Sequence, residues 1–589
     1  MQAILHKLKN SKRASKNWLD ILSGLICFLI FCISSVLRAQ VVFTSPLPLG
    51  ILQVQGDHAD LRLHVSVAGF SNFSYKLSSD IDTSTPQEGW TTLAVHGRVV
   101  DTLLWVPKSL RDYSLYWRTG LSSNDTGGII AGLTPGHIIG IAGQSNAEGF
   151  TYDMIVPAEG DIRMLKNTNS WQTAHEPTGG FGGGPWIVMS NILYRCIGDS
   201  LPIGIVNAAI GATGLTLYDP FGGQWYRNPN HPDDSSIYGN ALRMYRNAGG
   251  ELECLCWIQG ESDASYLPDP NTYRVAFSNL MAGFHEDLAA AFPVFHLQVG
   301  GKIGAAIDSW PEVREAERML PPSILVGTAV GRSVGDELHY TSGTMWDVGR
   351  MFAAALLKER FEIDSGIYPP LMPDTIATLD SIMDGSIMGR YCFSLGWKRN
   401  GVSVKLTSLT PVQYFGLDSN GVSLDTSQVW YHISPVDPSR VQIGLRYDSI
   451  VLSNTWHITY DATAEADRAP LATIDPASGD TIFATAFYKL PVALPTGPPA
   501  SVKEFIVESV IPNPSINAIH CYIYSYKHET MTVELLDNLG AMLMRESVIV
   551  KEGSQDFSLP TGGLASGNYW IVLRDENGNE SVQKAVFVH

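Results

Sequence analysis

A chain of 589 residues is too long for one hydrophobic core, so several domains are expected. Hydrophobic residues at 45% and aromatics at 10% supply enough apolar surface for packed cores, which excludes a largely disordered protein. The formal net charge of −18 makes the chain a poor candidate for charge-driven binding to nucleic acid or to an anionic membrane surface.

Residues 1–39 read as a signal peptide. Lys7, Lys9, Lys12, Arg13 and Lys16 precede an apolar run from Ile21 to Leu37, and Arg38-Ala39-Gln40 offers cleavage after Ala39. Leu37 is bulky for the position three before the cut, so an uncleaved anchor is the alternative. Cleavage leaves no stable membrane span. Beyond it lie Cys196, Cys254, Cys256, Cys392 and Cys521, an odd and scattered set that makes no disulfide framework. Cys254 and Cys256 stand two apart in an apolar strand, on one face, and read as small core residues. There is no paired Cys-x-x-Cys or His-Glu-x-x-His spacing, and no metal or organic cofactor is implied.

Residues 41–133 predict an all-β domain. Leu61 to Val67, Phe73 to Leu77 and Tyr113 to Arg118 alternate apolar with polar, and Val99 to Val106 is a further apolar run. Short strands at this spacing suggest a sandwich of the immunoglobulin or fibronectin III kind. Ser122 to Gly128 reads as a linker or tight turn.

Over 137–362 strands alternate with helices, the pattern of a parallel sheet covered on both faces. The first strand, Ile138 to Ala142, ends at Gly143 and is followed by Gln144, Ser145 and Asn146. A helix over Pro185–Cys196 leads to the second strand, Ile203 to Ala209, which ends at Ile210-Gly211-Ala212. A helix over Tyr238–Ala248 leads to the third, Leu252 to Ile258, which ends at Gln259-Gly260-Glu261-Ser262-Asp263. A long helix over Tyr273–Phe292 precedes strands at Val294–Val299 and Ile324–Ala329. Then come Asp336-Glu337-Leu338-His339 and a last helix over Met345–Arg360. Gly179 to Gly184 lacks the Lys-Ser/Thr of a phosphate-binding loop and reads as a mobile loop near a pocket. Residues 369–494 return to β alternation and suggest a second sandwich. Pro495 to Pro499 reads as a linker, and 505–589 as a short all-β domain.

Function in such a sheet gathers at the carboxyl ends of the strands, where the distinctive residues fall. Acyl transfer accounts for their types. Ser145 is a weak nucleophile unless a base lies within reach, and His339 is the natural base. Asp336 can accept from the other ring nitrogen and hold the tautomer. The backbone N–H groups of Ser145 and Gly211, with the Gln259 side-chain amide, can face the oxyanion. Gln144, Asn146 and Glu261 read as supporting residues that orient the surrounding loops.

Gly-Gln-Ser-Asn at Gly143, Ile-Gly after the second strand, Gln-Gly-Glu at Gln259 and Asp-x-x-His at Asp336 resemble the SGNH (GDSL-like) hydrolases. The closer likeness is to their sialate O-acetylesterase, or carbohydrate esterase, branch. Ala212 stands where that branch has a second glycine, which leaves open which amide completes the oxyanion site. The resemblance implies a flavodoxin-like three-layer α/β core flanked by all-β sandwiches. It also implies a serine esterase that removes O-acetyl groups from carbohydrate, whether sialate or xylan. A non-catalytic glycan-binding protein and a sugar O-acetyltransferase are the alternatives. Ile511-Pro512-Asn513-Pro514, Asp537-Asn538-Leu539-Gly540, Leu564-Ala565-Ser566-Gly567-Asn568-Tyr569 and the apolar final strand resemble the C-terminal sorting domain of type IX secretion in Bacteroidetes. That resemblance implies export through the periplasm to the cell surface or medium, with the type IX machinery as partner.

Overall fold

The computed structural model describes residues 41–587 apart from internal stretches, the longest being 80–88, 120–126, 381–391, 446–455, 461–470 and 494–504. The signal peptide, most of the two expected linkers and the Pro512-Asn513-Pro514 opening lie outside the described residues. The chain divides into two compact units. One holds residues up to Gly211 with Trp225–Trp257 and Leu280–Val294, and the other holds Ala212–Gln224, Ile258–Asn279 and Phe295 onward.

The first unit opens with β1 (Val41–Ser45), β2 (Ile51–Gln55), β3 (His58–Val67), β4 (Asn72–Ser79), β5 (Thr91–Ala94), β6 (Val99–Pro107), β7 (Tyr113–Thr119) and β8 (Gly128–Gly143). β3 pairs antiparallel with β1, β2 and β6, and β4 with β5 and β7. Alternation along β3 turns Leu61, Leu63, Val65 and Val67 into one core with Phe73 and Leu115.

The sequence suggests a break near residues 133–137, but β8 runs through it as one 16-residue strand. Its start pairs antiparallel with β7. Thr134–Gly136 then run parallel to β2, and His137–Ile141 parallel to β11 (Ile203–Asn207). One strand thus serves both the N-terminal β region and the α/β region. From Gly132 to Gly143 every residue is buried, the expected fate of an Ile-rich strand covered on both faces. β11 also runs parallel to β9 (Ile162–Lys166), which pairs with β10 (Ser170–Thr173), a hairpin the apolar pattern does not announce. β12 (Cys254–Ile258) pairs with β8, and Cys254 and Cys256 are buried in it. The helices are a short α1 (Ser145–Glu148), α2 (Trp186–Ile197) and α3 (Ile237–Asn247). The Ser236 hydroxyl caps α3 by accepting the Gly239 N–H at 3.0 Å, and the Tyr245 hydroxyl of α3 donates to Ile141 O at 2.8 Å. α4 spans Pro270–Leu288.

In the second unit β13 (Val294–Gln298) pairs with β14 (Ser323–Thr328); α5 (Trp310–Arg318) and α6 (Ser342–Phe361) complete its helices. Thr341 caps α6. The β region that follows pairs Cys392–Arg399 and Val429–Ile433 with Arg440–Leu445, and Trp456–Tyr460 with Phe415–Ser419 and Phe487–Ala493, all antiparallel. Trp397, Phe415, Trp456, Tyr460 and Phe487 fill its core. It is fastened to β13 by a fully buried side chain. Gln298 Nε2 donates to Ala486 O and Ala486 N donates to Gln298 Oε1, each at 2.9 Å, so the amide mimics a strand partner. The C-terminal region forms a three-stranded and a four-stranded antiparallel sheet around Ile519, Ile523, Val533, Ile571 and Phe587. No helix among the described residues is long and apolar enough to cross a membrane.

Candidate functional site

β8 ends at Gly143, whose φ of +131° suits glycine and turns the chain sharply into α1. Gln144 O accepts the N–H groups of Ala147 and Glu148, each at 2.8 Å, so Ser145 stands first in a single helical turn. Ser145 is 4% exposed and Asn146 is fully buried. Residues distant in sequence hold this turn. Ala147 O accepts from Trp186 Nε1 at 2.5 Å and from Asn207 Nδ2 at 3.2 Å. The same Asn207 amide lies 3.2 Å from Glu148 O and 3.3 Å from Thr178 Oγ1.

The glycine-rich stretch, expected as a mobile loop near a pocket, packs its backbone against the Ser145 turn. Gly180 N donates to Glu148 O, Gly182 N to Gly149 O and Gly183 N to Thr151 O. A Cβ at Gly182 would fall 2.6 Å from the backbone oxygen of Thr151, so only glycine allows this approach. Glu176 lies under the same stretch, accepting from Thr178 N at 3.2 Å and Gly184 N at 3.4 Å. Burial pushes its carboxyl up to about 7, against the pull of those two N–H groups.

Gly211 meets Ser145. A Cβ built on Gly211 would lie 3.5 Å from Ser145 Cβ. The Gly211 N–H is not empty: it donates to Glu148 Oε2 at 2.6 Å. Burial raises the Glu148 carboxyl above its ordinary range, and the Gly211 N–H pulls it partly back. Ala212 follows at φ +53°, a left-handed conformation that costs an L-residue about 1–2 kcal/mol and that a glycine would take freely. Beside Glu148, a cavity of about 410 Å³ is lined by Gly179, Asn207, Ala209, Asn240 and Arg243.

In the second unit Asp336 and His339 come together. Nδ1 of His339 is 2.7 Å from Asp336 Oδ2, while Asp336 Oδ1 accepts the N–H groups of Leu338 and His339, both at 2.7 Å. Partial burial pushes the Asp336 carboxyl up, but the Leu338 N–H, the His339 ring and the His339 N–H together hold it below its ordinary value. The loop closes on itself, with Gly335 N donating to His339 O at 2.8 Å and Thr341 N to Ser333 O at 3.2 Å. The His339 side chain is 21% exposed.

Gln259, predicted as a third oxyanion donor, is used otherwise. Its Nε2 donates to Thr213 O at 3.0 Å and to Asp263 Oδ2 at 2.6 Å, which takes both amide hydrogens. Two acceptors on that side fix the amide orientation, and the Tyr273 hydroxyl lies 2.6 Å from Gln259 O and 2.8 Å from Oε1. The fully buried Asp263 also accepts Leu215 N and Thr216 N, each at 2.7 Å, and so clamps the loop after Gly211-Ala212. Glu261 is buried nearby, its charge felt by Glu317 and Tyr340. Glu148, Asn207 and Asp263 do not stand out in the sequence. The available signals are a polar residue closing an apolar strand at Asn207 and the acidic ends of Ser145-Asn146-Ala147-Glu148 and Gln259-Gly260-Glu261-Ser262-Asp263. Among the described residues no group of three or more His, Cys, Asp or Glu is placed to hold a metal ion.

Residues 135–358 match the family described as carbohydrate esterase, sialic acid-specific acetylesterase, and residues 509–588 match the secretion system C-terminal sorting domain. A probable carbohydrate esterase of Arabidopsis thaliana is 29% identical over 38% of this chain and 92% of its own length. A carbohydrate acetylesterase of Xanthomonas citri superposes with a TM-score of 0.55 at 16% identity, covering 76% of this chain and 99% of that one, a likeness of fold. The crystal structure of an Arabidopsis thaliana protein covers 38% of this chain and 99% of its own at 26% identity, with a TM-score of 0.33.

Proposed function

Because the chain carries a carbohydrate-esterase domain and a secretion-system sorting domain, we propose that it is an exported serine esterase that removes O-acetyl groups from carbohydrate. Its α/β region is read as a flavodoxin-like SGNH core, which the parallel run of β9, β11, β8 and β2 supports. The type IX machinery is the proposed export partner.

One observation carries the reading. The amide of Gly211, packed against Ser145, already holds a carboxylate oxygen at 2.6 Å. An N–H that binds an anion beside a serine is the electrostatic device that acyl transfer requires. In the proposed mechanism Ser145 Oγ attacks the acetyl carbonyl and His339 Nε2 takes the proton. Asp336, on Nδ1, fixes the tautomer and stabilises the imidazolium. The carbonyl oxygen takes the place of Glu148 Oε2 on the Gly211 N–H, with the Ser145 N–H as second donor. The sugar alcohol leaves with the proton from His339, and water then cleaves the acetyl-enzyme with His339 as base. Gln259 supports this geometry through the Thr213 and Asp263 bonds rather than as a donor. Ser145→Ala should abolish acetate release from an acetylated xylan or an aryl acetate while the thermal unfolding midpoint stays in place. Retained turnover in that variant would refute the nucleophile.

A further inference from the structure

A second cavity, of about 340 Å³, lies within the second unit. That size is at the lower end of the roughly 300–1,000 Å³ range of small-molecule sites. It opens beside β14, α6 and the strand Thr481–Phe483, and its charged lining consists of Arg332, Arg350 and Asp347. A net positive lining is unusual in a chain whose formal charge is −18.

Arg332 is the built part of the site. Its side chain is only 10% exposed. Nε donates to Thr328 O at 3.2 Å, and Nη1 donates to Asp347 Oδ2. The guanidinium lies over the Phe483 ring at 4.8 Å from the centroid. Nη2 has no hydrogen-bond partner among the described residues. Burial lowers the pKa of this guanidinium, Asp347 counters it, and the nearby charge of Arg350 lowers it further. An anion at this half-enclosed surface can take the Nη2 hydrogens of Arg332.

The remainder of the lining narrows the choice. Val326, Met351, Ile367 and Ile482 give an apolar floor, and Thr481 offers a hydroxyl at the rim. A bare inorganic anion would leave that floor unfilled. A planar carboxylate matches the arginine fork, and the carbon face of a sugar ring matches the apolar floor. We propose that this cavity is a docking subsite for a carboxylated sugar, a uronate residue of the glycan on which the esterase acts. The sugar part rests on the carbohydrate-esterase reading, whereas the anion part stands on the cavity alone. Arg332 also opens the loop that carries Asp336 and His339, which Ser333 O closes by accepting Thr341 N and, at 2.8 Å, Thr344 Oγ1. A glycan held at Arg332 is therefore held at the foot of that loop.

The test is calorimetric titration of the full chain with D-galacturonate, D-glucose and inorganic phosphate. Saturable one-site binding of galacturonate is expected, about tenfold tighter than glucose, as one charged hydrogen bond supplies. Arg332→Met should weaken it by about tenfold or more. Should that variant unfold, Thr481→Trp fills the cavity from its exposed rim and should produce the same loss. Ser145→Ala should leave the affinity unchanged, so failure of the proposed nucleophile and failure of the subsite read out separately. Equal affinity for glucose, equal affinity for phosphate, no saturable heat, or unaltered binding in Thr481→Trp would each overturn the proposal.

Discussion

The turn that carries Ser145 is fixed mainly by residues far along the chain, whereas the loop that carries His339 is fixed mainly by its own neighbours. Trp186, Asn207, Gly180 and Gly182 all hydrogen-bond to the backbone of residues 147–149, and Glu148 reaches Gly211. In the other region most bonds run between Ser333 and Thr341, Gly335 and His339, and Asp336 and both Leu338 and His339, with Ile303 N reaching Glu337 O from an earlier part of the chain. The first is buried, and in the second Asp336 has its side chain 51% exposed. In the proposed mechanism the nucleophile must hold one position against a developing oxyanion, which suits a turn tied to the packed sheet. The proposed base has to orient one ring, which a loop closed mainly by local bonds can do.

This contrast makes Asp336→Asn and Asn207→Ala opposite kinds of variant. Asp336→Asn removes the acceptor that orients His339 Nδ1, and, if the proposed triad operates, a fall in kcat/KM on the order of 10²–10⁴ is expected. Its midpoint of thermal unfolding should barely move, because the lost bonds are local and half solvated. Asn207→Ala should show the reverse balance. It strips donors from Ala147 O, Glu148 O and Thr178 Oγ1 and an acceptor from Ala209 N, and about 1–3 kcal/mol of stability should go with them. A tenfold loss of kcat is about what a small shift of the Ser145 turn costs. Steady-state kinetics and chemical denaturation of the two proteins side by side would expose any error. If Asp336→Asn unfolds the chain, or Asn207→Ala leaves stability intact, the contrast between the regions is wrong.

The same contrast explains what could be read from the sequence. Asp336-x-x-His339 is a local motif, so its 2.7 Å pair follows from spacing alone. The strand before Ser145 was legible because a buried parallel strand writes itself as an unbroken apolar run. Glu148, Asn207 and Asp263 were not legible, because each acts on a segment brought near only by the fold. Gln259 was legible as a polar strand end, but its direction was not. The amide turns to Thr213 and Asp263, a choice set by where the loop after Gly211 passes. The boundary near residue 133 was misleading for a related reason. The change from alternating to continuous apolar pattern marks where β8 goes from antiparallel to parallel partners, and the strand itself does not stop.

Glu148 sharpens the comparison by a smaller amount. In the proposed mechanism the acyl oxygen displaces a carboxylate from the Gly211 N–H. Glu148→Gln leaves an acceptor of the same shape without the charge, and a hydrogen bond to a charged group exceeds a neutral one by about 1 kcal/mol. A rise in kcat/KM of about fivefold at neutral pH is the expected outcome. A fall in kcat in Glu148→Gln, and a deeper one in Glu148→Ala, would instead make Glu148 a brace for Gly211.

The smallest effect is on the pH dependence of stability, where the two regions carry opposite signs. Glu176, under the cover of the Ser145 turn, has its carboxyl raised to about 7 from an ordinary 4.5. Between those values the folded chain binds the proton more tightly than the unfolded chain, so this group lowers stability as pH rises through that window. Asp336 is shifted the other way, below its ordinary 3.8. Its contribution is present above that value and is lost as pH falls through the lower folded value. Glu176→Gln should therefore flatten the decline of the unfolding midpoint between pH 4.5 and 7 and leave the acid limb unchanged, while Asp336→Asn should soften only the acid limb. Thermal melts of both variants across pH 3 to 8 separate the two. A Glu176→Gln protein whose midpoint falls between pH 4.5 and 7 as steeply as that of the parent would mean that this carboxyl is not held out of water by the glycine-rich cover, and the long-range fastening of the Ser145 turn would lose one of its supports.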